Sequence, residues 1–148
     1  MYPYYSQRDT KWGNVTFSPA KLKIRDKGCT LTVLASMATW AGKTYTPEMM
    51  AEKCEFTDDG LLLWVSVPLP LNFVWRYKQY DKKKAKEILL SKNGMCMIQV
   101  MFGGSQHWIG LIGWDRNGEI IHDPWDGKKK SLKMCPFSAP IGMTELRK

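Results

Sequence analysis

A cysteine follows a glycine and opens an apolar run in the stretch RDKGCTLTVLASMATW, residues 25–40. A helix starting there puts Cys29 at its N-terminus, where unpaired backbone N–H groups and the positive end of the helix dipole converge. Both favour a thiolate and lower the pKa of the thiol. Gly28 permits a sharp turn and the close approach of a substrate. A buried structural cysteine fits the same stretch, so Cys29 needs partners before it implies chemistry.

A thiolate nucleophile wants a histidine, and the chain has two. His107 follows the Gly-rich FGGSQ and opens an apolar strand-like run, so its imidazole can face a cleft at a sheet edge. There it would activate a thiol and protonate a leaving amine. His122 and Asp123 are adjacent, in IIHDPW. Neighbouring strand residues point to opposite faces, so only one of the two can face a cleft, and His122 reads as structural or peripheral. Asp123 is the candidate for orienting His107 and steadying its imidazolium. A three-residue turn at 116–118 puts 107 and 123 on one face but sets Asp123 opposite Leu111. A bulge, a longer turn or strong slant must close that gap. Gln7, in YYSQRD, is the candidate side-chain donor to an oxyanion, together with the backbone N–H of Cys29.

The elements that must hold these groups are legible in outline. Residues 1–28 are rich in Tyr, Pro, Gly and Lys and read as extended and loop-like. Residues 29–41 read as a helix, with Leu31, Leu34, Ala35, Ala38 and Ala41 at helical spacing and Gly42 as its C-terminal cap. Thr46-Pro47-Glu48 is a strong helix start, giving a second helix over 46–54. Within the apolar stretch 60–75 a short helical turn is expected near 61–64, followed by an extended piece over 72–77. DKKKAKEILLSKNG (81–94) reads as a third helix with Ile88 and Leu89 facing in. Strands follow at 95–102, 107–114 and 119–124, with a last short one at 129–134. Helices first and a meandering antiparallel sheet second make an α+β layout, in a length that suits one domain over 1–148.

Composition sets the remaining bounds. No apolar stretch reaches the roughly 20 residues of a membrane span. The N-terminus lacks the basic and apolar regions of a signal peptide, so the chain is expected to be cytoplasmic as synthesised, with any release by lysis or in a virion. The four cysteines, Cys29, Cys54, Cys96 and Cys135, include no C-x-x-C pair, so a zinc site of that kind is unsupported and free thiols are expected. The net charge of +8 concentrates in two runs, 78–86 and 126–133. These read as solvated faces, or as attraction to an anionic partner such as nucleic acid or an acidic bacterial envelope. No nucleic-acid motif accompanies them.

The order Gln7, Cys29, His107, Asp123 resembles the papain-like cysteine peptidases. It is most similar to the C39-like group related to the peptidase domains of bacteriocin-processing transporters. The matching blocks are YYSQRDTKWG, KGCTLTVLASMATWAG with TPEMMAEKC, and GMCMIQVMFGGSQHWIGLIGWDRNGEIIHDPWDG; residues 55–93 match poorly. The resemblance implies a Cys-bearing helix packed on an antiparallel sheet that carries His and Asp, with the site between them and no cofactor. It makes Cys29 the nucleophile, His107 the base and acid, Asp123 the orienting carboxylate and Gln7 the oxyanion donor. No transporter segment is attached, so processing of a double-glycine leader is not implied. A stand-alone bacterial or phage protein is.

Three functions fit this reading. One is a thiol hydrolase of a peptide or isopeptide amide. Another is the same enzyme steered by its charge to a bacterial wall, cleaving peptidoglycan cross-links. The third is a non-catalytic module that binds a peptide or an anionic partner on the same scaffold.

Overall fold

In a computed structural model, which describes residues 1–148, the first 28 residues are loop-like, as their composition predicts, with three short pieces of structure. These are the paired strands β1 (Thr16–Phe17) and β2 (Leu22–Lys23) and the single helical turn α1 (Ile24–Lys27). Helix α2 (Cys29–Trp40) then runs through the core. Nine of its twelve residues are buried, so it is a central helix rather than an amphipathic one. Gly42, at φ 114°, ends it in a Schellman motif: Lys43 N–H bonds to the Ala38 carbonyl and Gly42 N–H to that of Thr39. Helix α3 (Pro47–Lys53) starts where Thr46 accepts a bond from Met49 N–H. Helix α4 (Lys82–Leu90) is capped by Asp81. It is shorter than expected, because Ser91 leaves the helical conformation and Asn93 adopts a positive φ before the next strand.

The sheet is antiparallel, with order β3-β8-β4-β5-β6-β7. Its strands are β3 (Asn72–Tyr77), β4 (Gly94–Phe102), β5 (Ser105–Asp115), β6 (Gly118–Asp123), β7 (Lys128–Ser131) and β8 (Gly142–Arg147). Strands β4 to β7 form the predicted meander. Strand β8 has no apolar alternation to announce it, yet it pairs with both β3 and β4. Its Thr144 and Glu145 are buried. Glu145 is accommodated because Tyr77 Oη and Arg147 Nη2 both donate to its carboxylate.

The two faces of the sheet carry two cores. Met95, Met97, Trp108 and Leu146 pack with α2 and α3, while Cys96, Ile98, Val100, Ile109, Leu111, Ile121 and Met143 pack with Ala85 and Ile88 of α4. Thus the period-2 alternation of β4 and β5 sends each successive side chain into a different core. No helix is long and apolar enough to cross a membrane.

His122 is on the α2 face and fully buried. Its Nε2–H donates to the Tyr5 carbonyl at 2.8 Å, and its Nδ1 accepts from Tyr2 Oη at 2.9 Å. Tyr2 and Tyr4 pack edge-on against its ring. It therefore pins the N-terminal segment to the sheet as a neutral imidazole, and burial pushes its pKa down to about 4. An unfolded chain binds a proton at His122 near pH 6.5 while the folded one does not until about 4, so stability is lost as pH falls through that window. The expected loss from this group is roughly 3 kcal/mol. Urea unfolding across the window, with NMR titration of the His122 ring, checks it; a ring titrating near its ordinary value would contradict the account.

Candidate active site

Helix α2 begins without a side-chain cap. Gly28 occupies the N-cap position at φ −92°, which any residue adopts. The glycine is needed for space: a Cβ there would sit 2.6 Å from the Ile24 carbonyl oxygen and 2.8 Å from Ile24 Cα. The tight packing of α1 against this point fixes where α2 starts. Thr32 secures it from the other side, donating through N and Oγ1 to the Gly28 carbonyl at 3.0 and 2.8 Å. Cys29 is thereby fixed as the first helical residue, at the end of α2 whose amides lack helical partners.

The partner strand is built by two local devices. Gly103 and Gly104, at φ 58° and 79°, make a two-residue hairpin between Phe102 and Ser105. That turn puts His107 near the start of β5. At the far end, β5 and β6 are joined by a two-residue turn that pairs Asp115 with Gly118, not by the expected three-residue turn. Continued without interruption, that register would pair Asp123 with Gly110 and set it on the face opposite His107. A bulge at Ile112, between the pairs Gly113↔Ile120 and Leu111↔Ile121, shifts the register by one. His122 then pairs with Gly110, and Asp123 falls opposite Ile109, on the face of His107 and two residues nearer to it than the sequence register predicts.

The result is a buried carboxylate–imidazole pair. His107 Nε2 donates to Asp123 Oδ1 at 2.9 Å, and both side chains are at most 6% exposed. Asp123 also accepts from Trp125 N–H at 3.0 Å and from Lys130 Nζ at 2.7 Å. Although burial opposes ionisation, the bonds from His107, Lys130 and Trp125 hold its carboxyl down at about 2. Phe102 and Phe137 pack beside the His107 ring. With Nε2–H committed to Asp123, the remaining nitrogen, Nδ1, is the one free for the thiol.

Cys29 lines the same small cavity as His107. Its burial would raise the thiol pKa, but the hydrogen bond and charge of His107, with smaller bonds from Trp108 N–H and the Thr30 hydroxyl, bring it below the ordinary thiol value. Burial likewise opposes the imidazolium, and Asp123 and Cys29 together raise His107 to about 9. The Trp108 amide is available because the β5–β6 ladder stops at Gly110↔His122, short of the start of β5. The other cysteines lie in the opposite direction: burial pushes Cys54 and Cys96 up to about 12 and raises Cys135. All four sulfurs are unpaired.

The pair opens onto a groove with two lobes that meet at Cys29. One lobe, about 250 Å³, is lined by Gln7, Cys29, His107, Phe102 and Trp125 among others. The other, about 690 Å³, runs from Cys29 past Lys27, Leu61, Trp64, Arg76 and Trp108.

Neither a known family model, nor a curated protein, nor a solved structure matches this chain. The site therefore stands on its own geometry. Of the residues singled out from sequence, Cys29, His107, Asp123 and Gln7 all come together. Gln7 is buried and is carried in by the N-terminal segment, which Gln7 N–H ties to the Pro124 carbonyl at 2.7 Å. Its Nε2 donates to the Arg25 carbonyl at 3.0 Å and, at a long 3.4 Å, to that of Ile24, while its Oε1 has no partner. Two functional positions were missed by sequence reasoning. Lys130 lies in the run 126–133, read as a solvated or anion-binding face, yet its ammonium is spent internally on Asp123 and Asp126, at 2.7 and 2.8 Å. The i,i+4 spacing of Asp126 and Lys130 was the available signal, though nothing local pointed to Asp123. Trp125 walls the small lobe and carries the Arg8 guanidinium over its ring at 4.6 Å.

These differences predict selective labelling. At neutral pH iodoacetamide is expected to modify Cys29 at least about tenfold faster than any other cysteine, and His107→Ala to remove that advantage. Peptide mapping by mass spectrometry reads the result. Equal, slow modification of all four thiols would contradict the site.

Proposed function

We propose that the protein is a papain-like thiol hydrolase of the C39-like type, cleaving a peptide or isopeptide amide through an acyl-enzyme. One observation carries this reading: Asp123 is bonded to His107, and His107 and Cys29 line the same groove. A structural cysteine has no use for a carboxylate-oriented imidazole or for an exit to solvent.

The steps follow from the residues. The Cys29 thiolate attacks the amide carbonyl carbon, forming a C–S bond and placing the negative charge on oxygen. The Cys29 backbone N–H donates to that oxyanion. Gln7 is the second donor only by giving up a bond it now makes: its Nε2 donates to the Arg25 carbonyl at 3.0 Å and to that of Ile24 at 3.4 Å, and the longer bond is the one to release. The His107 imidazolium, its proton facing the groove on Nδ1, protonates the amine nitrogen as the C–N bond breaks. Neutral His107 then takes a proton from water, whose oxygen attacks the thioester carbonyl and releases the carboxylic acid and the thiolate. Asp123 keeps the imidazole oriented throughout and stabilises its charged form. Lys130, by holding the second carboxylate oxygen, prevents Asp123 from turning away.

The pH dependence has a definite sign. Activity rises as Cys29 ionises, below the ordinary thiol range, and falls as His107 loses its proton near 9. Cleavage of a degenerate peptide mixture, followed by mass spectrometry of the new termini, is expected to give that bell-shaped profile. Cys29→Ala should abolish cleavage and Asp123→Asn should reduce it by about a hundredfold or more. Cleavage that survives Cys29→Ala would overturn the reading.

A further inference from the structure

The two lobes of the groove are chemically unlike, and the site fixes which part of a substrate each would receive. His107 must deliver a proton to the leaving amine, and His107 lines only the small lobe. The leaving amine therefore belongs in the small lobe. The acyl portion, on the carbonyl side of the scissile bond, extends into the large lobe.

The large lobe has an aromatic floor. Trp108 and Trp64 meet edge to face at 5.2 Å, with Leu22, Leu61 and Leu62 beside them. Two cations border it, Lys27 and Arg76, against one carboxylate, Asp59. Neither cation has a carboxylate within ion-pair distance. Asp59 accepts from the Thr57 hydroxyl instead.

Arg76 is more than a solvated surface charge. Its Nη2 donates to Oε1 of the buried Gln99 at 3.0 Å, and its guanidinium lies over the Trp108 ring, 5.4 Å from the centroid. These contacts set the plane of the group while using one of its five N–H donors. The rest remain for a ligand. A pre-oriented guanidinium with open donors is a carboxylate receptor, since its fork matches the two oxygens of that group.

We propose that the acyl side of the groove selects peptides carrying an acidic side chain, whose carboxylate is held by Arg76 in a lobe that Lys27 also borders. This rests on the thiol-hydrolase reading for its direction along the groove, and it names the substrate class of that same site. Acidic peptides also fit the excess positive charge of the chain, which raises their local concentration.

The test uses peptidyl vinyl sulfones in matched Glu and Gln pairs, the acidic residue moved one position at a time away from the reactive group. The Cys29 thiolate adds to the vinyl carbon β to the sulfone, and the α carbon beside the sulfonyl group takes up a proton, so the rate of labelling at Cys29 reports acyl-side recognition without a known substrate. At one position the Glu probe is expected to react about tenfold faster than its Gln partner. Arg76→Gln should bring that ratio close to one, and Arg76→Lys should retain part of it. Arg76 is exposed on β3, so these variants leave the core intact. Equal rates for Glu and Gln at every position, or a preference that survives Arg76→Gln, would overturn the acidic-peptide proposal while leaving the hydrolase reading standing. No labelling of Cys29 by any probe would remove both.

Discussion

One extra residue in strand β5 decides whether this protein has a site at all. The hairpin that joins β5 to β6 closes on Asp115 and Gly118, a register that by itself would leave His107 and Asp123 on opposite faces of the sheet. The bulge at Ile112 moves every later pair by one position and brings the carboxylate to the face of the imidazole. The same shift puts His122 on the α2 face, opposite Gly110, where a Cβ would crowd Val33 of α2 at 3.1 Å and the Tyr2 hydroxyl bonded to His122 at 3.3 Å. A single backbone irregularity therefore separates the two histidines into a structural role and a reactive one. Their pKa values move apart for the same reason. Burial beside a tyrosine and a carbonyl pushes His122 down to about 4, whereas against its burial a carboxylate and a thiol raise His107 to about 9.

The other half of the site depends on sterics at Gly28. The helix that carries Cys29 has neither an acidic first turn nor a capping side chain, so the first amides of α2 stay available to the sulfur and to an oxyanion. Their position is set by contact of the Gly28 backbone with Ile24, which tolerates no Cβ. The N-terminal segment closes the arrangement: Tyr2 and Tyr5 hold to His122, and Gln7 is pinned to Pro124 just past Asp123. Segments distant in sequence converge because the middle strands of the sheet serve two cores at once, and their ends are left to serve the groove.

How much of this was legible follows a physical line. Local signals were reliable where they act locally. The cap and proline at Thr46-Pro47, the Gly42 terminus of α2, and the apolar runs of β4 and β5 all produce the elements they announce. So did the parity argument that sends His122 and Asp123 to different faces. What escaped depends on long-range pairing. Strand β8 is buried but carries Thr144 and Glu145, and the partners of Glu145 come from β3 and from β8's own end, so no hydropathy pattern marks it. A bulge was one of three devices that could bring Asp123 towards His107, and its location at Ile112 has no sequence signature. Lys130 looked like one charge in a basic run, because its principal partner, Asp123, is reached only when β7 folds back on β6.

The central claim is that Cys29 is a thiolate stabilised by the His107 imidazolium. The direct measurement is the ultraviolet thiolate absorbance of the protein, titrated against pH and compared with that of Cys29→Ala. The account predicts a difference of one thiolate that persists well below the ordinary thiol pKa of about 8.5, because Cys54, Cys96 and Cys135 are all shifted upward. A difference that emerges only at or above that value would mean Cys29 is an ordinary buried thiol, and would contradict the claim.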